Sequence, residues 1–350
     1  MKRYFRTLIL SKTPLQYTYR YGDRFQIYPL EDDALICPYA THYPLYLEYS
    51  VDAEETLTGK DLGVVTLNEE NEIVRLLTLF TAYHFFFYTG DLDRWGVMMP
   101  PLPLDKLTQE QLDLYNNQIS SWSSAVVHTK YHKIECEIPH LTDVNYPMMM
   151  LVPNQKEYFG IYMEDEVLDR WAMLNGQPKT ILFPESIDKC LSEYYSLHRE
   201  HKRIIRSAIY LSYDGIDILI SHKALSFLAL TAALEGLTKL FKESYPKPKK
   251  NGRYEYPNKE NCFVKMLSNY LSDSTHDVAQ YKILYKTRCN ITHDNILFTL
   301  DYGVTLDDDD LSPSEDWYKT RKVLSSLRCV LTNLLLAEER QDWIPTSNER

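Results

Sequence analysis

Arg288 and His293 close the run Arg288-Cys289-Asn290-Ile291-Thr292-His293, with four residues between them. An arginine offers a permanently charged fork that matches a phosphate. A histidine gives or takes a proton near neutral pH. Together they cover the needs of phosphodiester transesterification: charge stabilisation at phosphorus and proton transfer at the attacking and leaving oxygens. The spacing also arises by chance, so position must carry the argument. On a helical wheel begun at Val278, the residues Val278, Tyr281, Leu284, Tyr285 and Ile291 form one apolar stripe, and Arg288 falls inside it. A guanidinium on a buried face costs several kcal/mol (about 3–5) unless it is paired or the face lines a polar cleft. His293 falls roughly 140° further round, on the final turn.

The elements around this run divide the chain. Residues 186–350 read as long helices: Ser186 to Tyr210, Ile216 to Phe241, Cys262 to Leu271, a helix opened by Ser274-x-x-Asp277 and ending near His293, and Glu315 to Glu339. Residues 1–185 read as a mixed, strand-rich domain. Its expected strands are Tyr4 to Leu10, Phe25 to Tyr28, Tyr46 to Val51, Gly63 to Leu67, Met148 to Val152 and Tyr158 to Met163. Two helices are expected among them, Asn68 to Tyr88 and Thr108 to Val127. The class is therefore α+β, with the boundary where the strand signal stops near Pro184.

Charge separates the halves too. Residues 186–350 balance 23 basic against 23 acidic side chains, so the whole net charge of -11 falls in residues 1–185. That acidic half opposes a phosphate backbone through its own field. The neutral half offers local basic patches: Arg199, Lys202, Arg203 and Arg206 on its first helix, and Lys249, Lys250 and Arg253 beside Tyr254 and Tyr256 in a loop. The helix patch reads first as a solvated face.

The C-terminal pattern resembles a known family. The segments Phe227-Leu228-Ala229-Leu230-Thr231-Ala232-Ala233-Leu234-Glu235-Gly236-Leu237 and Leu284-Tyr285-Lys286-Thr287-Arg288-Cys289-Asn290-Ile291-Thr292-His293 look like a HEPN domain, nearest its Apea-like branch. The likeness covers Ser186 to Glu339. It implies an antiparallel helical bundle that dimerises and cuts RNA without metal or cofactor, in toxin-like or anti-phage defence. It implies Arg288 and His293 as the catalytic pair, with Asn290 as a polar neighbour. Helix position and likeness together imply that Glu235 orients Arg288. The chain departs from the family at Cys289, where Asn, Asp or His is usual. One His293 supplies one acid–base group, so the chemistry expects a homodimer that brings a second. The N-terminal domain would then sense a trigger. The alternative for the same residues is an Arg288–Glu235 ion pair and a helix-capping His293, in a non-catalytic module for dimerisation and partner binding.

Other patterns narrow the field. Six cysteines with no C-x-x-C pair suggest free thiols in a reducing cytoplasm. The apolar run Leu8-Ile9-Leu10 is short for a secretory leader. His222, Lys223, Glu235 and Lys239 interrupt the most apolar helix, which reads as core rather than membrane span. His128, His132, Cys136 and His140 recur every four residues, a zinc-like spacing. The alternation of Lys133 to Ile138 instead favours a strand. The acidic run Asp307 to Asp310 reads as a solvated loop. No Gly-rich phosphate loop, zinc-protease motif or nucleophile elbow occurs.

Overall fold

The computed structural model describes residues 1–11, 13–29, 43–81, 83–87, 108–109, 136–153, 180–219, 221–249, 253–271, 275–294, 297–298, 301, 313–338, 340 and 342–345. The expected helix Thr108 to Val127 after Gln109, the strand Tyr158 to Met163, the acidic run Asp307 to Asp310, and residues His128, His132, Lys250 and Ser274 lie outside the residues so described. The chain divides into two compact units, Met1–Val152 with Tyr162–Pro184, and Pro153–Ile161 with Glu185–Arg350. The fold is α+β: a strand-rich N-terminal region with helices gathered toward the C-terminus.

The first unit is built on an antiparallel sheet. Its long central pair is β1 (Lys2–Ser11) and β4 (Tyr43–Asp52), registered from Lys2 opposite Asp52 to Ser11 opposite Tyr43. Outside β4 lie β3 (Phe25–Pro29) and β2 (Tyr19–Tyr21). On the other edge of β1 sit β5 (Phe85–Phe87) and β6 (Cys136–Ile138). β-Branched and aromatic residues fill these strands, as pleated half-buried surfaces favour. One polar group is deeply enclosed. The Glu48 carboxylate on β4, with no exposed side-chain surface, accepts hydrogen bonds from Arg6 Nε (2.7 Å), Gln26 Nε2 (2.8 Å), the Tyr28 hydroxyl (2.8 Å), and both the N–H and hydroxyl of Thr142 (2.7 Å each). Burial alone pushes this carboxyl up. The Thr142, Tyr28 and Arg6 donors outweigh that and hold it below the usual carboxylate value.

Three expectations for this unit are corrected. Gly63 to Leu67 is not a strand but part of helix α1 (Gly59–Thr81). Its β-branched residues misled, because Thr66, Glu70, Ile73 and Leu77 are buried together at helical spacing. The helix also stops at Thr81 rather than Tyr88. The aromatic run after it is β5, paired with Ile9 to Ser11 of β1, and the Thr78 hydroxyl accepts the Phe85 N–H at 3.0 Å. Met148 to Val152 forms no strand: Met148 and Val152 make isolated bridges to Thr18 and Pro184.

Among its described residues, the regular structure of the second unit is helical apart from one hairpin of two-residue strands. The expected helix Ser186 to Tyr210 is two helices, α2 (Ile187–Ser196) and α3 (Arg199–Asp217). Leu197 and His198 turn to extended angles between them, and His198 Nδ1 accepts the Glu200 N–H (3.4 Å), capping α3. The expected helix from Ile216 is displaced likewise. α4 (Lys223–Leu237) starts where Asp301 receives the Lys223 and Ala224 N–H groups at 2.9 and 2.8 Å. A carboxylate there satisfies free donors and complements the helix dipole. Short 3-10 turns at Thr238–Leu240 and Lys242–Ser244 follow α4, in place of helix running on to Phe241. The hairpin β7 (Lys247–Pro248) and β8 (Tyr254–Glu255) occupies the basic loop. Then come α5 (Lys259–Tyr270), α6 (Thr275–His293) and α7 (Pro313–Leu336).

α4 is the centre of this unit and packs against α3, α6 and α7. It is apolar almost all round, the signature of an enclosed helix. α3 and α4 meet tightly at Gly215, where an added Cβ would lie 3.1 Å from Ala229 Cβ and 3.3 Å from Leu230 Cγ. The Ser226 hydroxyl donates to the Gly215 carbonyl at 2.6 Å across the same contact.

Candidate functional site

α6 carries Arg288 on its buried stripe, between Tyr281, Leu284 and Ile291, all nearly inaccessible. The cost of placing a cation there is met by α4: Arg288 Nη2 lies 3.1 Å from Glu235 Oε2. The two side chains keep 24% and 17% of their surface, so the pair is half-enclosed rather than dry. One nitrogen meets Glu235, whereas a guanidinium carries five N–H donors. The Arg288 fork also stands 6.0 Å from the Tyr285 ring centre, and Tyr285 packs on Phe263 of α5 at 5.4 Å. Burial first, then the nearby Glu235 charge, raises the Tyr285 hydroxyl above its ordinary pKa.

Arg288 and Glu235 border a cleft of about 380 Å³. Gly236 at the end of α4 and Lys239 in the 3-10 turn after it line it, with Tyr256 and Pro257 ahead of α5 and Lys259 and Cys262 in its first turn. Lys259 Nζ stands 3.8 Å from Glu235 Oε1 but is 78% exposed, a pair that contributes little. The cleft therefore holds three cations against one carboxylate. That is a setting for an anion with an apolar or aromatic part.

His293 is the last residue of α6 and is exposed. It does not line the Arg288 cleft. Five residues of α-helix carry it about 7.5 Å along the axis and roughly 140° around it. The Thr292 hydroxyl donates to the Arg288 and Cys289 carbonyls at 2.8 and 3.1 Å, tightening this last turn. Asn290 is half-buried, and its carbonyl accepts the Asp294 N–H at 2.9 Å. Within one chain, Arg288 and Glu235 are thus brought together, while His293 and Asn290 stand apart from their cleft.

The expected basic residues separate. Lys202 Nζ sits over the Tyr194 and Tyr195 rings at 4.7 and 5.0 Å. Arg206 donates to the Tyr210 hydroxyl at 3.0 Å. Arg199, Arg203 and Arg253 are exposed. Lys249 pairs loosely with Glu255 across the hairpin at 3.6 Å. Lys259 escaped the sequence reading because it opens α5 in isolation. Lys239 had a signal, its position four residues after Glu235, a favourable acid–base spacing.

Cys136 lies in β6 and His140 in the turn beyond it. Among the described residues no group of three or more His, Cys, Asp or Glu side chains is placed to hold a metal. Nor, among them, is any helix long and apolar enough to cross a membrane. No family model, curated protein or solved structure matches this chain.

Proposed function

We propose that the helical unit is a metal-independent endoribonuclease of the HEPN type, working as a homodimer in the cytoplasm. The observation that carries this reading is the Arg288–Glu235 pair at 3.1 Å: a guanidinium anchored on an otherwise apolar stripe and bordering a cation-rich cleft. In the proposed reaction the substrate supplies its own nucleophile. The 2′-oxygen of RNA forms a bond to phosphorus as the bond from phosphorus to the 5′-oxygen breaks. One His293 accepts the 2′-hydroxyl proton, and the His293 of a second copy gives a proton to the departing 5′-oxygen. Arg288 stabilises the charge on the phosphorane between them. The products are a 2′,3′-cyclic phosphate and a 5′-hydroxyl. The exposed position of His293 at a helix end suits a residue that must meet a second copy.

The family likeness suggests the setting. The acidic N-terminal unit restrains the nuclease until a trigger, such as a phage component, is sensed, and RNA cleavage then arrests growth. Incubating the full-length chain with RNA and with its 2′-deoxy counterpart, in EDTA, tests the chemistry. Cleavage of RNA alone is expected; cleavage of the deoxy strand refutes a 2′-oxygen nucleophile.

One observation favours a second reading. Arg288 already has a carboxylate partner, and His293 lies outside its cleft. A non-catalytic helical module for dimerisation and partner binding would use both residues structurally. In that case a His293→Ala chain keeps the full cellular phenotype.

A further inference from the structure

The Arg288 cleft does not end at α4. A second cleft of about 380 Å³ lies between α3 and α4, and it shares Ala232, Gly236 and Lys239 with the first. The shared residues make the two one groove that crosses the α4 surface. Ala232 and Gly236, one helical turn apart, line both clefts where they meet. An added Cβ on Gly236 meets nothing within 4 Å, so the space there is open. Along the groove run Arg203 at the α3 end, Lys239 at the middle, and Lys259 and Arg288 at the other end. Among the described lining residues, the second cleft adds no carboxylate and Glu235 is the sole acid of the first. Tyr256, 76% exposed, stands at the Arg288 end.

We infer that this groove is a binding track for a single strand of RNA, reaching from the Arg288 cleft across Gly236 to Arg203. A row of cations with an exposed aromatic ring at one end is how proteins hold single strands, through phosphate contacts and base stacking. A base that stacks on the Tyr256 ring must be unpaired, so the track suits a single strand rather than a duplex. The track deepens the ribonuclease reading and rests on it for the choice of RNA. It adds residues that the Arg288 and His293 chemistry does not use: Gly236, Lys239 and Arg203.

The test separates binding from cutting. A fluorescent single-stranded RNA of about ten nucleotides is titrated onto full-length His293→Ala protein in EDTA, with Gly236→Leu, Gly236→Ala, Lys239→Ala or Lys282→Ala added. Lys282 is exposed on α6 outside the groove. Gly236→Leu plugs the track and is expected to weaken binding more than about tenfold and Gly236→Ala by less, while Lys282→Ala stays near the parent. Lys239→Ala lowers the slope of log affinity against log salt by about 0.7, the loss of one phosphate contact. Unchanged affinity in Gly236→Leu, equal affinity for duplex RNA, or no binding by the parent overturns the track. A parent that binds and is blocked by the plug, from a wild type that cuts no RNA, leaves the track standing and removes the nuclease.

Discussion

Arg288 on α6 and Glu235 on α4 meet at 3.1 Å, an ion pair set beside the buried apolar residues Leu234, Leu284 and Ile291 of the same two helices. Each keeps about a fifth of its surface, so solvent screens the pair in part. Removing Glu235 leaves Arg288 half-buried without its carboxylate, and removing Arg288 leaves Glu235 with only the exposed Lys259 at 3.8 Å. Arg288→Ala and Glu235→Gln are each expected to cost about 1–3 kcal/mol, and the double variant less than their sum, with a coupling of about 0.5–3 kcal/mol. Urea unfolding followed by the buried Trp343 of the same unit measures the cycle. Strict additivity would mean the contact is incidental.

Two glycines in the helical unit should answer alanine oppositely. Gly215 is pressed against Ala229 and Leu230, so Gly215→Ala must push α3 from α4 and is expected to cost about 1–3 kcal/mol. Gly236 faces open space, so Gly236→Ala gains helix propensity, at most about 1 kcal/mol. The same Trp343 unfolding curves read both. Destabilisation by Gly236→Ala would show that its surroundings are closed.

Glu48 makes the sheet unit sensitive to acid. Its folded pKa lies below the unfolded value of about 4.3. Its contribution is therefore complete above that value and is lost as pH falls through the folded pKa. Glu48→Gln is expected to cost about 3–5 kcal/mol at neutral pH. The gap from wild type should hold down to about pH 5 and narrow below it. Hydrogen exchange of the β1 and β4 amides measures this within the sheet. A gap that widens on acidification contradicts the assigned sign.

Much of this architecture was legible because local pattern and tertiary role agree. The apolar run through Phe227, Leu230 and Leu234 marked an enclosed helix, and the stripe of Tyr281, Leu284 and Ile291 placed Arg288 on a buried face before any coordinates. The losses have physical causes. The break between α2 and α3 depends on His198 acting as a cap, a role its residue type does not advertise. The start of α4 is fixed by Asp301, 78 positions away from Lys223, which no local window contains. Val64 and Val65 favour strands, yet α1 carries them because burial at helical spacing outweighs β propensity. The groove was hidden for a similar reason: Ala232 and Gly236 look like packing residues until the helices around them leave the space above open.

The central claim is that His293 moves the protons of a metal-free RNA transesterification. End-group analysis of RNA incubated in EDTA with wild-type and His293→Ala chains tests it most directly. The account predicts 2′,3′-cyclic phosphate and 5′-hydroxyl ends from the wild type and at least a hundredfold fewer (roughly 10²–10⁴) from His293→Ala. Products bearing 5′-phosphate, or equal yields from the two chains, would contradict it.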